Sequence, residues 1–238
     1  MAKGRSKSEG AAREPIERPS AGSVTKHRVG TVSTRTSPLH NTPTARSSAS
    51  APHRVRIIGG RWKRTPLPVA DVVGLRPTPD RVRETLFSWI EHLVPDLSAA
   101  RGVDLFAGTG ALGFELASRG AARVTLIESN RQLVDQLTRT KHKLAADQID
   151  IVAGDALAVT ARWPDASFEV IFIDPPFDSG LLAPALTATA RLITQDGLIY
   201  IETGTPVELS LLSRHRLYPA RSGHAGRVHF HLLRPQSA

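Results

Sequence analysis

The sequence contains no cysteine, and it lacks any apolar stretch long enough to span a lipid bilayer. Without cysteine, disulfide bonds, cysteine nucleophiles and zinc sites built from thiolates are excluded. A membrane-spanning helix needs about 20 predominantly apolar residues, and the apolar runs here are much shorter. The first ten residues also lack the apolar core of a secretory signal. We therefore expect a cytoplasmic protein that uses no membrane partner, and we expect no metal site.

Large apolar side chains are scarce in residues 1–54, where basic residues are concentrated. This segment has 10 Lys/Arg and 3 Glu, so it carries +7 of the net charge of +9. Because so little apolar surface cannot offset the entropy cost of folding, residues 1–53 are predicted to be a disordered basic leader. Such a leader attracts polyanions through phosphate contacts, or it serves only to keep the protein in solution.

Residues 54–92 are predicted to form a small β-hairpin with a basic edge, followed by a helix. Residues 55–58 are typical of a short strand, and Gly59-Gly60 of a turn. The helix is predicted to begin near Thr78, with Thr78 as the N-cap and Pro79 at the first helical position. Apolar residues at helical spacing follow on one face, at Val82, Leu86, Trp89 and Ile90.

Residues 93–238 alternate between short apolar runs and amphipathic segments joined by short connections. Strands are predicted at residues 103–106, 124–127, 149–153, 170–173 and 198–201. Helices are predicted at residues 111–119, 133–144 and 181–193. This alternation predicts an α/β fold in which helices cover both faces of a parallel sheet. The last two extended runs, at residues 215–219 and 227–233, look like a hairpin that adds an antiparallel strand.

A glycine-rich turn follows the first strand of this series. Gly108, Gly110 and Gly113 match the pattern G-x-G-x-x-G where a strand passes into a helix. The glycines allow a sharp turn close to a ligand, and the helix amides behind them favour an anionic group. Glu128 ends the next strand, twenty residues after Gly108, where an acid accepts hydrogen bonds from ribose hydroxyls. NAD and S-adenosylmethionine both remain open at this point.

Two further acids stand at the ends of later strands. Asp155-Ala156 follows the third strand and could hold an adenine amine and ring. Asp174-Pro175-Pro176-Phe177 ends the fourth strand, at the sheet edge where ligands bind in open α/β folds. The Asp174 carboxylate and the Pro175 carbonyl could accept hydrogen bonds from an aromatic amine while Phe177 stacks on its ring. Two such acceptors would localise the nitrogen lone pair toward a methyl donor, which favours S-adenosylmethionine over NAD.

Four stretches together resemble one family, at residues 56–60, 74–87, 104–113 and 174–177. This is the RsmD family, bacterial methyltransferases that act on the guanine N2 amine of small-subunit (16S) ribosomal RNA. The resemblance runs from about Arg54 to the C-terminus, and the Leu-Arg-Pro-Thr stretch before Pro79 makes it specific. It implies a class I methyltransferase (Rossmann-like) fold, with a seven-stranded, mostly parallel sheet whose last strand is antiparallel.

The resemblance also implies roles for individual residues. Those expected to contact the cofactor are Arg76, Thr78, Asp104, Phe106, Gly108, Gly110, Glu128, Asp155 and Ala156. Asp174, Pro175 and Phe177 would hold the flipped guanine and carry the catalysis. The candidate contacts to RNA are Arg56, Arg61, Trp62, Lys63, Arg64, Arg81 and Arg83, where Trp62 either stacks on a base or packs within the hairpin.

The sequence thus predicts a monomeric, S-adenosylmethionine-dependent methyltransferase of 16S ribosomal RNA that acts within the small ribosomal subunit. A DNA base or a protein glutamine is the alternative acceptor, because both can use an Asp-Pro-Pro-aromatic slot. A non-catalytic RNA-binding or ribosome-assembly factor is an alternative of another class. An NAD-dependent oxidoreductase would satisfy the glycine pattern but leaves residues 174–177 unexplained.

Overall fold

The computed structural model describes residues 55–70, 72, 78–176 and 179–236. The predicted leader, Arg76 and Phe177 lie outside the described residues. Within the described ranges the helices are α1 Asp80–Leu93, α2 Ala111–Ser118, α3 Arg131–Leu144, α4 Ala156–Thr160, α5 Leu182–Thr189 and α6 Leu209–Arg214. The strands there are β1 Val55–Arg56, β2 Pro66–Leu67, β3 Arg101–Asp104, β4 Arg123–Glu128, β5 Ile149–Ala153, β6 Phe168–Ile173, β7 Ile193–Thr203, β8 Leu217–Ala225 and β9 Val228–Pro235.

Seven of these strands form one sheet in the order β5-β4-β3-β6-β7-β9-β8. The strands from β3 to β7 pair in parallel, whereas β9 is antiparallel to both of its neighbours, β7 and β8. The seven-stranded, mostly parallel sheet with an antiparallel last strand is therefore confirmed. The predicted hairpin is also present, as a separate antiparallel pair of β1 and β2.

The sheet is buried on both faces, as the alternation of strands and helices predicts. One face packs against α1, α2 and α3 through apolar side chains such as Leu86, Phe114 and Phe172. The other face packs against α5 and α6 through Leu186, Ile199 and Leu212 among others. The described residues all belong to one compact unit, which includes the hairpin of β1 and β2 as well as α1. None of the described helices is both long and apolar enough to cross a bilayer.

The hairpin turn is bound tightly to the C-terminal end of α2. The Arg61 N–H donates to the carbonyl of Ser118 at 2.7 Å, and the Ser118 hydroxyl donates to the Gly59 carbonyl at 2.6 Å. Gly60 has a φ of 72°, and a Cβ there would lie 1.9 Å from the Ser118 carbonyl oxygen. The Gly-Gly pair therefore allows a close backbone approach that a larger residue would prevent.

Several predicted boundaries are wrong. The strand predicted at residues 103–106 is β3, Arg101–Asp104. The predicted helix at 181–193 ends at Thr189 as α5, and Ile193 instead begins β7 because it pairs with Phe168 of β6. The predicted seven-residue connection before Arg227 is mostly strand, since β8 continues to Ala225. Thr78 does not cap α1: the helix starts at Asp80, and the N-cap position, Pro79, makes no side-chain cap bond.

Candidate active site

The carboxyl ends of five adjacent strands gather acidic side chains at one edge of the sheet. Asp104, Glu128 and Glu202 belong to β3, β4 and β7, and Asp155 and Asp174 follow β5 and β6 within two residues. Because the strands are parallel, these ends all lie at the same edge. The structure thus brings together four acids that the sequence singled out and adds Glu202.

The glycine-rich turn after β3 owes its shape to close packing. Gly110 has a φ of 78°, and a Cβ there would lie 2.5 Å from Phe114 and 2.7 Å from Leu137. Gly113, one turn into α2, would bring a Cβ within 2.0 Å of Leu126 of β4. Glycine is therefore required at position 110 by the turn, and at position 113 by the close packing of α2 on β4.

Asp104 lies almost fully buried beneath this turn. Its Oδ2 accepts a hydrogen bond from the Gly113 N–H at 3.2 Å, whereas its Oδ1 is buried without a partner among the described residues. Burial, together with the charge of Glu128, raises the pKa of Asp104 from 3.8 to about 7. An unpartnered, buried carboxylate oxygen fits a cationic ligand group, which would supply the missing partner.

Glu128 holds two loops of the edge together. Its Oε2 accepts from the Gly108 N–H at 2.9 Å and its Oε1 from the Asn130 N–H at 2.7 Å. Each carboxylate oxygen retains a second lone pair, so hydroxyl donors can still be accommodated. Asp155 is exposed and caps α4, because it accepts from the Ala158 N–H at 2.8 Å, and Ala156 beside it is buried.

Asp174 belongs to a buried hydrogen-bonded network of four side chains. The Thr78 hydroxyl lies 2.9 Å from Glu202 Oε1 and 3.3 Å from Asp174 Oδ2, so it bridges the two carboxyls. The Tyr200 hydroxyl donates to the same Glu202 oxygen at 2.7 Å. The segment before α1 therefore reaches the end of β6 through Thr78, which explains why that threonine does not cap its helix.

Burial governs the protonation of this network. Burial, with the neighbouring Glu202 and Asp104 carboxyls, raises the pKa of Asp174 well above its ordinary value. Burial also raises the pKa of Glu202, although hydroxyl donors from Tyr200 and Thr78 oppose the shift. Since Glu202 receives both hydroxyls, it is the better stabilised anion of the pair, and Asp174 is the carboxyl that retains its proton to higher pH.

Sequence reasoning missed Glu202 and Tyr200. The signal was available, because Glu202 stands near the end of an apolar run just as Glu128 does. Only the pairing of β6 with β7, which aligns Ile173 with Ile201, puts Glu202 beside Asp174. Phe106 is half-buried and lies after β3, not within the strand as predicted, and Pro175 is buried after β6.

The candidate RNA contacts divide into two groups. Five basic side chains are exposed, namely Arg56, Arg61, Lys63, Arg64 and Arg81. Arg83 is fully buried: its guanidinium donates to Asp80 at 2.6 Å and to the Arg56 carbonyl at 2.8 Å. The expectation that Arg83 contacts phosphate is therefore wrong. Trp62 is only 8% exposed, so of its two proposed roles the structure favours packing within the hairpin.

Comparison with known proteins identifies the family. The model of the family described as Conserved hypothetical protein 95 matches residues 55–234. The chain belongs to this family. Ribosomal RNA small subunit methyltransferase D of Escherichia coli (strain K12) is 40% identical over 169 residues, which cover 68% of this chain and 83% of that protein. The protein of the same name in Haemophilus influenzae is 37% identical over 159 residues, covering 65% and 81%.

Solved structures agree with this assignment. The yhhF protein of Escherichia coli has a TM-score of 0.65 and 36% identity, covering 78% of this chain and 99% of that one. HI0767 of Haemophilus influenzae has a TM-score of 0.63 and 29% identity, covering 77% and 99%. The resemblance to the RsmD family, the class I methyltransferase fold and the prediction that the chain is a methyltransferase are all confirmed.

Proposed function

We propose that this RsmD-family chain transfers a methyl group from S-adenosylmethionine to the exocyclic N2 amine of a guanine in small-subunit (16S) ribosomal RNA. The names of the relatives support ribosomal RNA as the substrate class. The observation that carries the proposal is the half-buried Asp174 carboxyl, bridged by Thr78 to Glu202 at the edge where the glycine-rich turn also lies. An exocyclic amine is the base group that needs such an acceptor.

The residues of the glycine-rich edge fit the cofactor. The unpartnered Oδ1 of Asp104 suits the ammonium of its methionine part, close to the backbone of Gly108 and Gly110. Glu128 would accept the ribose hydroxyls, and Asp155 and Ala156 would hold the adenine. S-adenosylmethionine supplies an electrophilic methyl group when bound. Arg76, Thr78 and Phe106 complete the proposed cofactor contacts.

Catalysis by the chain itself consists of orienting the amine and accepting its proton. The Asp174 carboxylate and the Pro175 carbonyl accept the two amine hydrogens, so the nitrogen lone pair points away from them. Phe177 stacks on the guanine, which must leave its helical stack to enter the slot. Asp174 then takes the proton released by the methylated nitrogen, and its raised pKa suits that task.

The deciding experiment uses small ribosomal subunits isolated from a strain that lacks this protein. Purified protein and labelled S-adenosylmethionine are added, and the RNA is digested to nucleosides. Label is expected in N2-methylguanosine. Label in no RNA nucleoside, with cofactor binding intact, would contradict the proposal and direct the search to DNA and protein glutamine as acceptors.

Asp174→Ala is expected to abolish this transfer while cofactor binding is retained. The variant loses the acceptor of the amine hydrogen but none of the proposed cofactor contacts. Binding is checked by the rise in melting temperature with S-adenosylmethionine, since a ligand of the folded state stabilises it. NAD in parallel is expected to give no rise. Near wild-type turnover of the variant would exclude the proposed role of Asp174.

The protein is proposed to act as a cytoplasmic monomer on RNA within the small subunit. The candidate phosphate contacts are the five exposed basic residues of the hairpin and α1, namely Arg56, Arg61, Lys63, Arg64 and Arg81. Arg56 already donates to Asp80 at 3.0 Å, so a phosphate there would compete with a carboxylate.

A further inference from the structure

The hairpin formed by β8 and β9, called here the C-terminal hairpin, ends beside the candidate active site. Because β9 runs antiparallel to β7, its first residues lie at the edge where the parallel strands finish. His229 pairs with Thr203, and Phe230 pairs with Glu202 of the buried network. The turn between Ala225 and Val228 therefore lies at the catalytic edge of the sheet.

The distance between the C-terminal hairpin and Asp174 follows from the strand order. Asp174 follows β6, and β7 alone stands between β6 and β9. With about 4.8 Å between neighbouring strands, β9 lies about 10 Å and β8 about 14 Å from the end of β6. This distance is comparable to the length of a few nucleotides of an extended RNA strand. An RNA whose guanine lies at Asp174 would therefore pass along the hairpin.

The C-terminal hairpin is strongly basic. Residues 217–235 contain no Asp or Glu, yet they include three arginines and three histidines. Arg221, His224 and Arg227 are exposed. Within the described part of the chain neither arginine forms an ion pair, and Arg221 donates only to the neighbouring Ala220 carbonyl.

At the opposite edge of the sheet, two arginines form ion pairs within the protein. Arg101 and Arg123, at the starts of β3 and β4, are paired with Glu169 at 3.0 Å and with Asp150 at 2.6 Å. These two arginines are thus neutralised within the protein, whereas Arg221 and Arg227 of the hairpin remain available to an anion from outside.

The hairpin is held firmly enough to act as a docking element. Phe230 stacks on Trp89 of α1, with ring centroids 5.5 Å apart, and a Cβ on Gly223 would lie 2.4 Å from the Phe230 ring. On the other face, His224 and His229 are paired across the strands with ring centroids 6.2 Å apart. One face is therefore anchored in the core, and the other presents two imidazoles that flank the turn carrying Arg227.

We propose that the C-terminal hairpin binds the phosphates of the RNA strand that flanks the target guanine, through Arg221 in the middle of β8 and Arg227 in the turn. This inference rests on the proposed function, because it takes RNA to be the substrate. The contacts are to the backbone, so they orient the strand and strengthen binding without reading its sequence.

The test compares the double variant Arg221→Gln/Arg227→Gln with a matched control, Lys141→Gln/Lys143→Gln. The control removes two positive charges from the last turn of α3, which leads into β5 at the opposite edge of the sheet. For wild type and both variants, RNA binding is measured over a series of salt concentrations, alongside KM for RNA and KM for S-adenosylmethionine in the transfer assay.

The arginine variant is expected to raise KM for RNA several-fold, with an unchanged KM for S-adenosylmethionine. Because two phosphate contacts are lost, the slope of log binding constant against log salt should fall by about 1.4. The lysine control should match wild type. An arginine variant whose salt slope and KM equal those of the control overturns the hairpin proposal while leaving the proposed function intact.

Failure of the proposed function gives a different pattern. Wild-type protein would then methylate no RNA nucleoside, although its net charge of +9 would still give salt-dependent RNA binding, and both proposals would fall together. Binding by wild type that is salt-dependent, and is reduced only in the arginine variant, supports the hairpin surface even before turnover is measured.

Discussion

At the scale of single residues, the molecule concentrates carboxyl groups that are costly to ionise. Asp104, Asp174 and Glu202 are all buried or half-buried at one sheet edge, and burial raises the pKa of each. Desolvation is favourable for an acceptor of a proton, because it makes the carboxylate more basic. Glu202 adds to this effect from a position where we propose no contact with substrate.

Glu202→Gln is expected to move the acid limb of the pH profile of kcat/KM to lower pH. Asp174 must be ionised to accept the amine hydrogens, so activity falls as pH drops through its raised pKa. Removing the Glu202 charge removes one cause of that raised value, after burial the largest. Glu208→Gln, at an exposed position, should leave the limb unchanged. An acid limb identical in Glu202→Gln and wild type would exclude Glu202 as a positioning residue for Asp174.

At the scale of elements, the hairpin of β1 and β2 is fixed to α2 by buried polar contacts. Glu115 of α2 is fully buried and accepts from the Gly59 N–H at 2.7 Å, while Arg119 donates to the same carboxylate at 2.7 Å. Arg83 lies 3.9 Å from Glu115, so α1 joins the same group of charges. The Gly-Gly pair and Arg83 therefore both serve the assembly of the fold, and Arg83 is not available to contact RNA.

Gly60→Ala is expected to destabilise the protein by about 2 kcal/mol or more. The new Cβ meets the Ser118 backbone, which cannot rotate away, and the positive φ adds strain. Gly204→Ala is the matched control, since a Cβ there meets nothing within 4 Å. Denaturant unfolding of the two variants and wild type measures the difference. Equal stabilities would contradict the tight docking of the hairpin on α2.

At the scale of the whole molecule, stability should depend on pH through Asp104. Its folded pKa of about 7 lies above the ordinary 3.8, so its contribution to stability is complete below about pH 4 and is lost as pH rises through 7. Above that pH the folded protein contains a buried charge whose Oδ1 has no partner among the described residues.

Asp104→Asn should therefore reduce the loss of melting temperature between pH 6 and pH 8. The variant has no ionisable group at this position, so the folded state no longer acquires the buried charge. Asp147→Asn, at an exposed position, should behave like wild type. If Asp104→Asn loses as much melting temperature over this interval as wild type does, Asp104 is ionised at lower pH than the structure indicates.

S-adenosylmethionine should also reduce the dependence of the wild-type melting temperature on pH, because an ammonium beside Asp104 favours the ionised form of that carboxyl. With saturating cofactor, the melting temperature of wild type is expected to rise more at pH 8 than at pH 6. In Asp104→Asn the cofactor should raise the melting temperature less, and equally at the two pH values. A wild-type rise that is independent of pH would argue against contact between the cofactor ammonium and Asp104.

Much of the architecture could be predicted because it rests on local patterns. The apolar runs of β3 to β6 and the amphipathic period of α3 gave element types correctly, and the alternation of strands and helices specified the parallel sheet. Short elements such as α4 and α6 were missed, since five or six residues carry too little periodicity to read. The end of α5 was misjudged because the pairing of Ile193 with Phe168 outweighed its helical spacing.

The sequence by itself determined the candidate acids and the turn, because residue type and position at a strand end are local properties. Glu128, Asp155 and Asp174 were readable in this way, and the role of Asp104 was implied by the family resemblance. What only the tertiary structure decided is which distant groups share an environment. Strand order brought Glu202 beside Asp174, chain folding carried Thr78 between them, and packing buried Arg83 and Trp62. Burial and proximity depend on contacts between residues far apart in the chain, and no spacing along the sequence encodes them.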